Sequence, residues 1–378
     1  MKIAFCSPVP LTKKLGATKN RLEFGEALQA LGWDVFFIKN EMLNLSSAPI
    51  SKNSYSVALK DYLLEHAKNF DIIIYEYDTL PFDRSLFAQS TLFVARPALL
   101  HYHFKKIKIP VSFKQRLADI KNSLKTFFVD NNKKSDKYSH LSLLNCDVIQ
   151  VQNSEDYKLL SQLYPSKKII IVPNGIAKDR FGAFQAIKRD YDNIEEAPKI
   201  AFVGTLEFRK GAIDFIYIIK RVVKEYPNAV FSIIGAKGLF TTTDAVLKFF
   251  PRKLRKNINV ILNFEPNDLP SILSGFHIGI FPSYLESFGF GALEMMCAGL
   301  PVVAYKSPGP SDFIHPDLLV ENGNKEQLTN KLFELIQNKD YLLKMSEESK
   351  QIVDQYRWED IVIETSSVYL DLLKDKRK

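Results

Sequence analysis

The sequence has few cysteines and no long apolar run. Its 378 residues include three cysteines, Cys6, Cys146 and Cys297, which are far apart and show neither a CxxC pair nor a Cys/His spacing typical of zinc ligands. This argues against a disulfide framework and a zinc site, and a reducing cytoplasm fits best. No apolar stretch reaches the roughly 18 residues needed to span a bilayer, and the opening MKIAFCSPVP soon reaches proline. We therefore expect no transmembrane helix and no signal peptide.

Internal repeats and low-complexity tracts are also missing, and no Asp-x-Asp pair lies in a loop suited to a metal ion. The composition is that of a globular protein, with 46% hydrophobic and 25% charged residues. The length favours two domains. The net charge of +8 favours anionic partners such as nucleotides or anionic lipid. Nucleic acid is not expected as a partner, because no recognisable binding motif accompanies the charge.

Short β-branched and aromatic runs alternate with helical patterns along the chain. The first half contains KIAFCSPV, DVFFIK, DIIIYEY, TLFVA, DVIQVQN and KIIIVPNG, and the second contains KIAFVGT, AVFSIIGA, INVILNF, IGIFPS and PVVAY. Strands that alternate with helices predict parallel, doubly wound sheets, so the fold class is α/β with two Rossmann-like domains facing a cleft. The acidic stretch 190–198 between the two runs indicates a linker. The predicted domains are residues 1–190 and 196–356, followed by a helix over 357–378.

The segment PSYLESFGFGALEMMCAGLPVVA, residues 282–304, carries two glutamates in an apolar context. It predicts a strand end, a loop with Glu286, and a helix whose first turn contains Gly289 and Gly291. Free amides and the helix dipole favour a phosphate at such a helix start. Glu294, eight residues after Glu286, can meet a different part of one extended ligand. The alternative is that Glu286 only caps the helix and Glu294 lies on the surface.

This segment resembles the C-terminal motif of the retaining nucleotide-sugar glycosyltransferases of family 4 (group 1), which have the two-domain GT-B fold. The matching residues are PS, Glu286, the FG pair, Glu294, the AG pair and PVVA. Further matches follow in family order: VPNGI (172–176), VGTLEFRKG (203–211) and SPGPSD (307–312). In the first half the resemblance is looser, resting on the strand order and on the loop PVPLTKKLGATKN. The resemblance implies that the C-terminal helix packs back on the first, acceptor-side domain.

The resemblance also implies roles for individual residues. Glu286 would hold hydroxyls of the donor sugar, Glu294 would accept hydrogen bonds from the ribose hydroxyls, and Lys210 would neutralise the leaving diphosphate. The implied catalytic residues are Glu286, Lys210, Arg209 and His101. The implied donor-binding residues are Gly16, Thr205, Ser287, Phe288, Gly289, Phe290 and Glu294. No metal and no cofactor is implied.

The sequence departs from the family pattern at several positions. Relatives usually carry arginine at the site of Thr205, and Arg209 would take its place on the phosphate oxygens. The first-domain histidine that positions the donor sugar has no clean match; His101, His103 and Arg96 are the alternatives. Gly16 is equally well explained as a turn glycine, and the FRKG segment around Lys210 as a solvated turn.

The function that follows is transfer of a hexose from a nucleotide-diphosphate sugar to a saccharide or lipid-linked hydroxyl, in cell-surface polysaccharide or glycolipid synthesis. A UDP-sugar close to UDP-glucose is favoured over a GDP-sugar. The family is thought to retain configuration by front-face attack, with a phosphate oxygen accepting the proton of the acceptor hydroxyl. The alternative is a nucleotide-sugar epimerase of the same fold, since function does not follow from fold.

Residues 105–137 form the most basic part of the first domain. From residue 104 to 137 the net charge is +7, nearly the whole excess of the chain. Apolar residues recur there at helical spacing, as in a helix lying on an anionic membrane. A helix that packs its apolar stripe on the first sheet explains the pattern equally well. Peripheral contact with the inner face of the membrane is therefore a hypothesis.

Overall fold

The computed structural model describes residues 1–13, 16–45, 50–105, 107–111 and 131–377, with side chains except at 16–17, 105 and 131–136. The chain forms two compact units. The first contains residues 1–100, the described part of 117–177, and the C-terminal segment from Trp358. The second contains the described part of 101–116 together with Lys178–Arg357.

The first unit is a six-stranded parallel sheet flanked by helices. Its strands have the order β2-β1-β3-β4-β5-β6. The strands are β1 (Lys2–Cys6), β2 (Asp34–Ile38), β3 (Ile72–Tyr75), β4 (Leu92–Ala95), β5 (Val148–Val151) and β6 (Lys168–Ile171). The helices are α1 (Gly16–Ala30), α2 (Lys52–His66), α3 (Asn131–Leu144), α4 (Ser154–Leu163) and, from the end of the chain, α12 (Trp358–Arg377). Most strands are continuous apolar runs because parallel sheets are covered on both faces.

The C-terminal helix α12 packs on α1 of the first unit. The Trp358 ring stacks on Phe24 with centroids 5.3 Å apart, and its indole nitrogen donates to Glu23 Oε2 at 3.1 Å. The Tyr369 hydroxyl donates to Gln150 on β5. This helix therefore completes the core of the first unit, although it follows the second unit in sequence.

The second unit is another six-stranded parallel sheet, with the order β12-β11-β10-β7-β8-β9. Its strands are β7 (Lys199–Val203), β8 (Val230–Ile234), β9 (Ile258–Ile261), β10 (Ile278–Phe281), β11 (Val302–Tyr305) and β12 (Leu319–Val320). Its helices are α5 (Lys178–Gln185), α6 (Ala212–Glu225), α7 (Thr243–Phe249), α8 (Leu269–Leu273), α9 (Phe290–Cys297), α10 (Lys325–Gln337) and α11 (Lys339–Val353). The rings of Phe202, Phe215 and Phe281 meet in its core at centroid distances of 5.1 and 6.0 Å.

The predicted α/β fold with two parallel sheets is confirmed. Every strand predicted from the sequence is present, whereas the two-residue β12 was too short to predict. His277 serves a structural purpose just before β10: its Nδ1 accepts from the Lys199 backbone amide at 3.2 Å. Burial, and then the nearby Lys199, lower the pKa of His277 to about 4, so the ring stays neutral.

The division of the chain differs from the predicted boundary at 190–196, because residues 178–198 already pack on the second unit. Arg189 donates to the carbonyls of Leu273, Phe276 and Ala298, and the Tyr191 hydroxyl donates to Ser346 Oγ. The acidic stretch is therefore attached to one unit rather than lying between two. None of the helices in the described part of the chain is long and apolar enough to cross a membrane.

Candidate functional site

The order of strands in the second unit places a crevice between β7 and β10. From β7 the chain first builds β8 and β9 on one side and then returns to add β10 and β11 on the other. Ligands of doubly wound sheets bind at such switch points, beyond the carboxyl ends of the strands. The loops that follow β7 and β10 carry the residues predicted as the site.

The loop after β7 leads into a 3-10 turn at Phe208–Lys210 that is held against the loop after β10. Gly211 ends the turn with φ of 80°, and a Cβ placed there would lie 2.3 Å from the Pro282 carbonyl oxygen. The Tyr284 amide donates to the Arg209 carbonyl at 2.9 Å. Only glycine satisfies both the backbone angle and the close approach at position 211. The FRKG segment is thus a packed turn rather than a solvated one.

Two cationic side chains of this turn, Lys210 and Arg209, contact the Glu286 carboxylate. Its Oε1 lies 3.1 Å from Lys210 Nζ and 3.1 Å from an Arg209 guanidinium nitrogen, which also donates to the Leu285 carbonyl at 2.5 Å. Burial raises the pKa of Glu286, but Lys210 and Arg209 outweigh it, so the pKa ends below its usual value and the group stays ionised. A second carboxylate, Glu207 Oε2, lies 3.8 Å from another Arg209 nitrogen, so the turn brings two cations and two carboxylates together.

Helix α9 begins beside the same cluster. Gly289 precedes it with φ of 92°, and a Cβ on Gly291 would lie 2.0 Å from the Val203 carbonyl oxygen, so the helix start touches the end of β7. Ser287 and Phe288 are buried, and the Phe288 ring contacts that of Phe290 at 5.3 Å between centroids. Amides at a helix start carry partial positive charge and bind phosphate. The residues predicted to hold the pyrophosphate are therefore next to Lys210 and Arg209.

Glu294 lies on α9 with 4% of its surface exposed, so it is not a surface residue. Its Oε1 is 3.1 Å from an Arg180 guanidinium nitrogen, and Arg180 is also 4% exposed. Sequence reasoning missed Arg180, which lies 114 positions earlier in a segment, KDRFGAF, with no recognisable site motif. No signal in a single sequence pairs two residues so far apart.

The other predicted residues lie around or apart from this cluster. Thr205 follows Gly204, and a Cβ placed on Gly204 would lie 3.4 Å from Lys210 Nζ. The Thr205 side chain itself packs on Gly238. Gly16 begins α1 in the first unit. His101 lies in a 3-10 turn at 101–105 with its ring on Tyr102. The roles of Thr205, Gly16 and His101 stay predictions.

Two further observations concern Arg96 and His103, which are the alternatives to His101, and possible metal ligands. Arg96 donates to Asn174 Oδ1 at 2.6 Å in the first unit and is buried, as is His103. Among the residues that the structure describes, no three His, Cys, Asp or Glu side chains form a group able to hold a metal ion. The absence of a metal requirement stays a prediction.

The chain is similar to known glycosyltransferases in sequence. Residues 183–352 match the family model described as "Glycosyl transferases group 1", and this range includes Arg209, Lys210, Glu286 and Glu294. A curated relative, the D-inositol 3-phosphate glycosyltransferase of Corynebacterium urealyticum, is 25% identical over 243 residues, which are 60% of this chain and 57% of the relative. The chain thus spans somewhat over half the length of this relative.

Two solved structures are similar across nearly the whole chain. Sucrose-phosphate synthase from Thermosynechococcus elongatus superposes with a TM-score of 0.75 at 18% identity, covering 99% of both chains. The Anabaena protein HepE, solved in complex with UDP and glucose, gives a TM-score of 0.64 at 14% identity, covering 98% of this chain and 99% of HepE. These structural similarities show the GT-B fold.

Proposed function

We propose that the chain is a retaining glycosyltransferase of family 4 that transfers a hexose from a UDP-sugar to a hydroxyl of a saccharide or lipid-linked acceptor. The observation that carries the proposal is the contact of Glu286 with Lys210 and Arg209 beside the start of α9. These groups lie where a doubly wound sheet binds its ligand.

The leaving nucleotide diphosphate is stabilised by charge. During transfer the bond between the anomeric carbon and the phosphate oxygen breaks, and negative charge grows on the diphosphate. Lys210, Arg209 and the amides at the start of α9 would receive that charge, as fixed positive groups beside the leaving oxygen do in other transferases. The acceptor hydroxyl forms the new bond on the same face of the sugar, and its proton goes to a phosphate oxygen.

The two glutamates have separate tasks. Glu286 accepts hydrogen bonds from hydroxyls of the donor sugar and holds the two cations in place, while Glu294 accepts them from the ribose. A charged acceptor contributes about 1.5 to 3 kcal/mol per hydrogen bond. Loss of Glu286 therefore lowers turnover, and loss of Glu294 lowers nucleotide affinity.

UDP is favoured over GDP as the nucleotide, and glucose or a close relative as the sugar. The Anabaena protein HepE, with the same fold, binds UDP and glucose, which supports this choice. The matched family and the relative reported above are transferases by name, which favours transfer over the epimerase alternative.

The part of the proposal that concerns the acceptor is based on the sequence alone. The basic segment 105–137, most of which lies outside the described residues, would dock on anionic lipid at the cytoplasmic face of the membrane and bring a lipid-linked acceptor within reach. Each basic residue near an anionic leaflet contributes about 1 kcal/mol, so three or four suffice for reversible docking. Sedimentation with phosphatidylglycerol liposomes tests this: binding at low salt should be lost when Lys114, Arg116, Lys121 and Lys125 are changed together to Gln.

A transfer assay tests the proposed activity. UDP- and GDP-sugars are incubated with the protein and saccharide acceptors, and released nucleotide and products are analysed. Lys210→Ala should lower turnover about 10²- to 10³-fold, as when one donor to a developing anion is removed. The matched control is Lys306→Ala, since Lys306 is an exposed lysine paired with Glu321. Interconversion of the nucleotide sugar without transfer would instead identify an epimerase.

A further inference from the structure

A basic surface lies on the second unit beside β9, the edge strand of its sheet. Residues 245–264 contain no acidic residue and five basic ones, which are Lys248, Arg252, Lys253, Arg255 and Lys256. Four of the five lie in the 3-10 helix Arg252–Asn257, which connects α7 to β9. The charge is therefore concentrated in one short segment, and residues 248–256 are called the basic turn below.

The 3-10 geometry gives this segment one buried side and two basic sides. With three residues per turn, residues i and i+3 lie above one another. Leu254 and Asn257 form the buried side. Lys253 and Lys256 share a second side and are exposed, as is Arg252 on the third side. The helix therefore directs its cations to solvent while its apolar residue packs on the unit.

Side-chain hydrogen bonds hold the basic turn at both ends. The Asn257 side-chain amide donates to the Ala229 carbonyl at 2.8 Å, next to the start of β8. The Arg255 guanidinium donates to the Phe250 carbonyl at 3.0 Å and to the Lys248 carbonyl at 3.4 Å, at the end of α7. The backbone of the turn is thus fixed before any partner binds, which lowers the entropic cost of binding.

The charges around the basic turn leave an excess of positive charge. Within the part of the chain that the structure describes, no ion pair involves three of its cations: Arg252, Lys253 and Lys256. Lys248 pairs with Asp244 at 2.6 Å on the surface of α7. Helix α6 packs on the turn and ends with the exposed Lys224 and Glu225, whose charges are opposite. The surface therefore complements an anionic partner.

Apolar side chains border the basic turn. Leu239, in the loop after β8, is 46% exposed. The ring of its neighbour Phe240 contacts the Phe249 ring of α7 with centroids 5.3 Å apart, and both rings are partly exposed. Phe249 follows Lys248 directly, so the apolar and basic groups form one continuous surface. Leucine and phenylalanine beside lysine and arginine are typical of surfaces that lie at the interface of an anionic bilayer.

We propose that the basic turn, together with Leu239, docks the second unit on an anionic lipid bilayer. The cations attract the lipid phosphates, and the leucine enters the headgroup region. The loop that carries Leu239 adjoins the crevice between β7 and β10, because the Leu206 amide donates to the Ala236 carbonyl at 3.2 Å. Docking holds this crevice near the bilayer surface. Its use for a lipid-linked acceptor rests on the proposed function, whereas the docking itself does not.

Sedimentation with phosphatidylglycerol vesicles tests the docking. The test variant replaces three cations of the turn together with Gln: Arg252, Lys253 and Lys256. Each basic residue near an anionic leaflet strengthens binding about fivefold, so this variant should bind about 30- to 100-fold more weakly at low salt. The matched control removes the same charge from three exposed lysines of the first unit: Lys68, Lys158 and Lys168. It should stay within about threefold of wild type, and both variants should keep the wild-type urea midpoint.

The variant Leu239→Ser distinguishes a bilayer from other anionic partners. It should weaken vesicle binding about three- to tenfold, because the leucine leaves water only when it enters a bilayer. The salt dependence of binding should stay that of wild type, since no charge is removed. If wild type binds a random-sequence DNA duplex but not the vesicles at the same salt, the surface is a nucleic-acid site and the inference is overturned.

Two comparisons separate this inference from the proposed function. Vesicle binding that remains after the substitutions in segment 105–137 should disappear when the three cations of the basic turn are also replaced. Equal vesicle binding by wild type and the test variant, or an equal loss in the matched control, would overturn this inference alone. UDP affinity of the test variant should equal that of wild type, so a failure of wild type to bind UDP or GDP concerns only the proposed function.

Discussion

The buried carboxylate of Asp214 offers a sharp test of how the site is held together. Asp214 lies in the first turn of α6, is 2% exposed, and accepts hydrogen bonds from the Tyr284 hydroxyl at 2.6 Å and the Tyr305 hydroxyl at 2.8 Å. Tyr284 is two residues before Glu286, and its amide is bonded to Arg209. Tyr305 ends β11, and its ring centroid lies 5.3 Å from that of Tyr284. The two phenols share one acceptor, but Tyr284 belongs to the loop that carries Glu286 and Tyr305 belongs to a strand.

The expected loss of stability on removing each phenol follows from these two hydrogen bonds. Both distances are in the range of charge-assisted hydrogen bonds, each of which stabilises the folded state by about 1.5 to 3 kcal/mol. Burial, followed by Asp214, raises the pKa of both phenols, so they remain donors. Tyr284→Phe and Tyr305→Phe should each cost about 2 kcal/mol. The double variant should cost more than the sum, because it leaves a buried carboxylate without either phenol.

Urea denaturation and turnover measured on the same variants separate stability from positioning. Tyr284→Phe should lower turnover in the transfer assay, because the loop carrying Glu286 loses an anchor, while Tyr305→Phe should cost similar stability with turnover close to wild type. The reasoning is refuted if both single variants unfold at the wild-type urea midpoint. Equal losses of turnover in both would show that the carboxylate supports stability alone.

Three further predictions concern the same crevice. If Lys210 and Arg209 take the place of a divalent ion as proposed, activity should persist in excess EDTA; loss of activity that Mg²⁺ or Mn²⁺ restores would contradict this. The folded-state pKa of Glu286 is lowered, so its stabilising contribution is present above the unfolded pKa and lost as pH falls through the folded value. The difference between the urea midpoints of wild type and Lys210→Met should therefore be constant at neutral pH and shrink only as pH falls below the unfolded pKa of a glutamate, about 4.3. Gly291→Ala should destabilise by about 1 to 3 kcal/mol and lower turnover, since its Cβ meets the Val203 carbonyl; an unchanged midpoint would show that α9 can shift freely.

The fold could be predicted because its signals are local. Buried parallel strands are continuous apolar runs such as KIAFV and IGIF, and they alternate regularly with helical segments. The unit boundary was harder, because the acidic composition of residues 190–198 marks exposure to solvent and does not report the bonds of Arg189 and Tyr191 with the second unit. Composition identifies polar segments but not the surfaces on which they pack.

The site could be predicted in part. The glycines and glutamates of the segment 282–304 lie in one short stretch, and the turn with Arg209 and Lys210 follows β7, the first strand of the same unit, so family resemblance reaches both. The partners Arg180 and Asp214 could not be predicted, because they meet Glu294 and Tyr284 only through tertiary packing across 114 and 70 positions.

Calorimetry with UDP on wild type and Glu294→Ala tests the central claim most directly. If the second unit holds a nucleotide sugar between Lys210 and Glu294, wild type should bind UDP, and the variant should lose about 1.5 to 3 kcal/mol of binding free energy. That loss corresponds to roughly a tenfold or larger fall in affinity. A folded wild type that binds neither UDP nor GDP, or equal affinity for UDP in wild type and Glu294→Ala, would contradict the assignment of this crevice as the donor site.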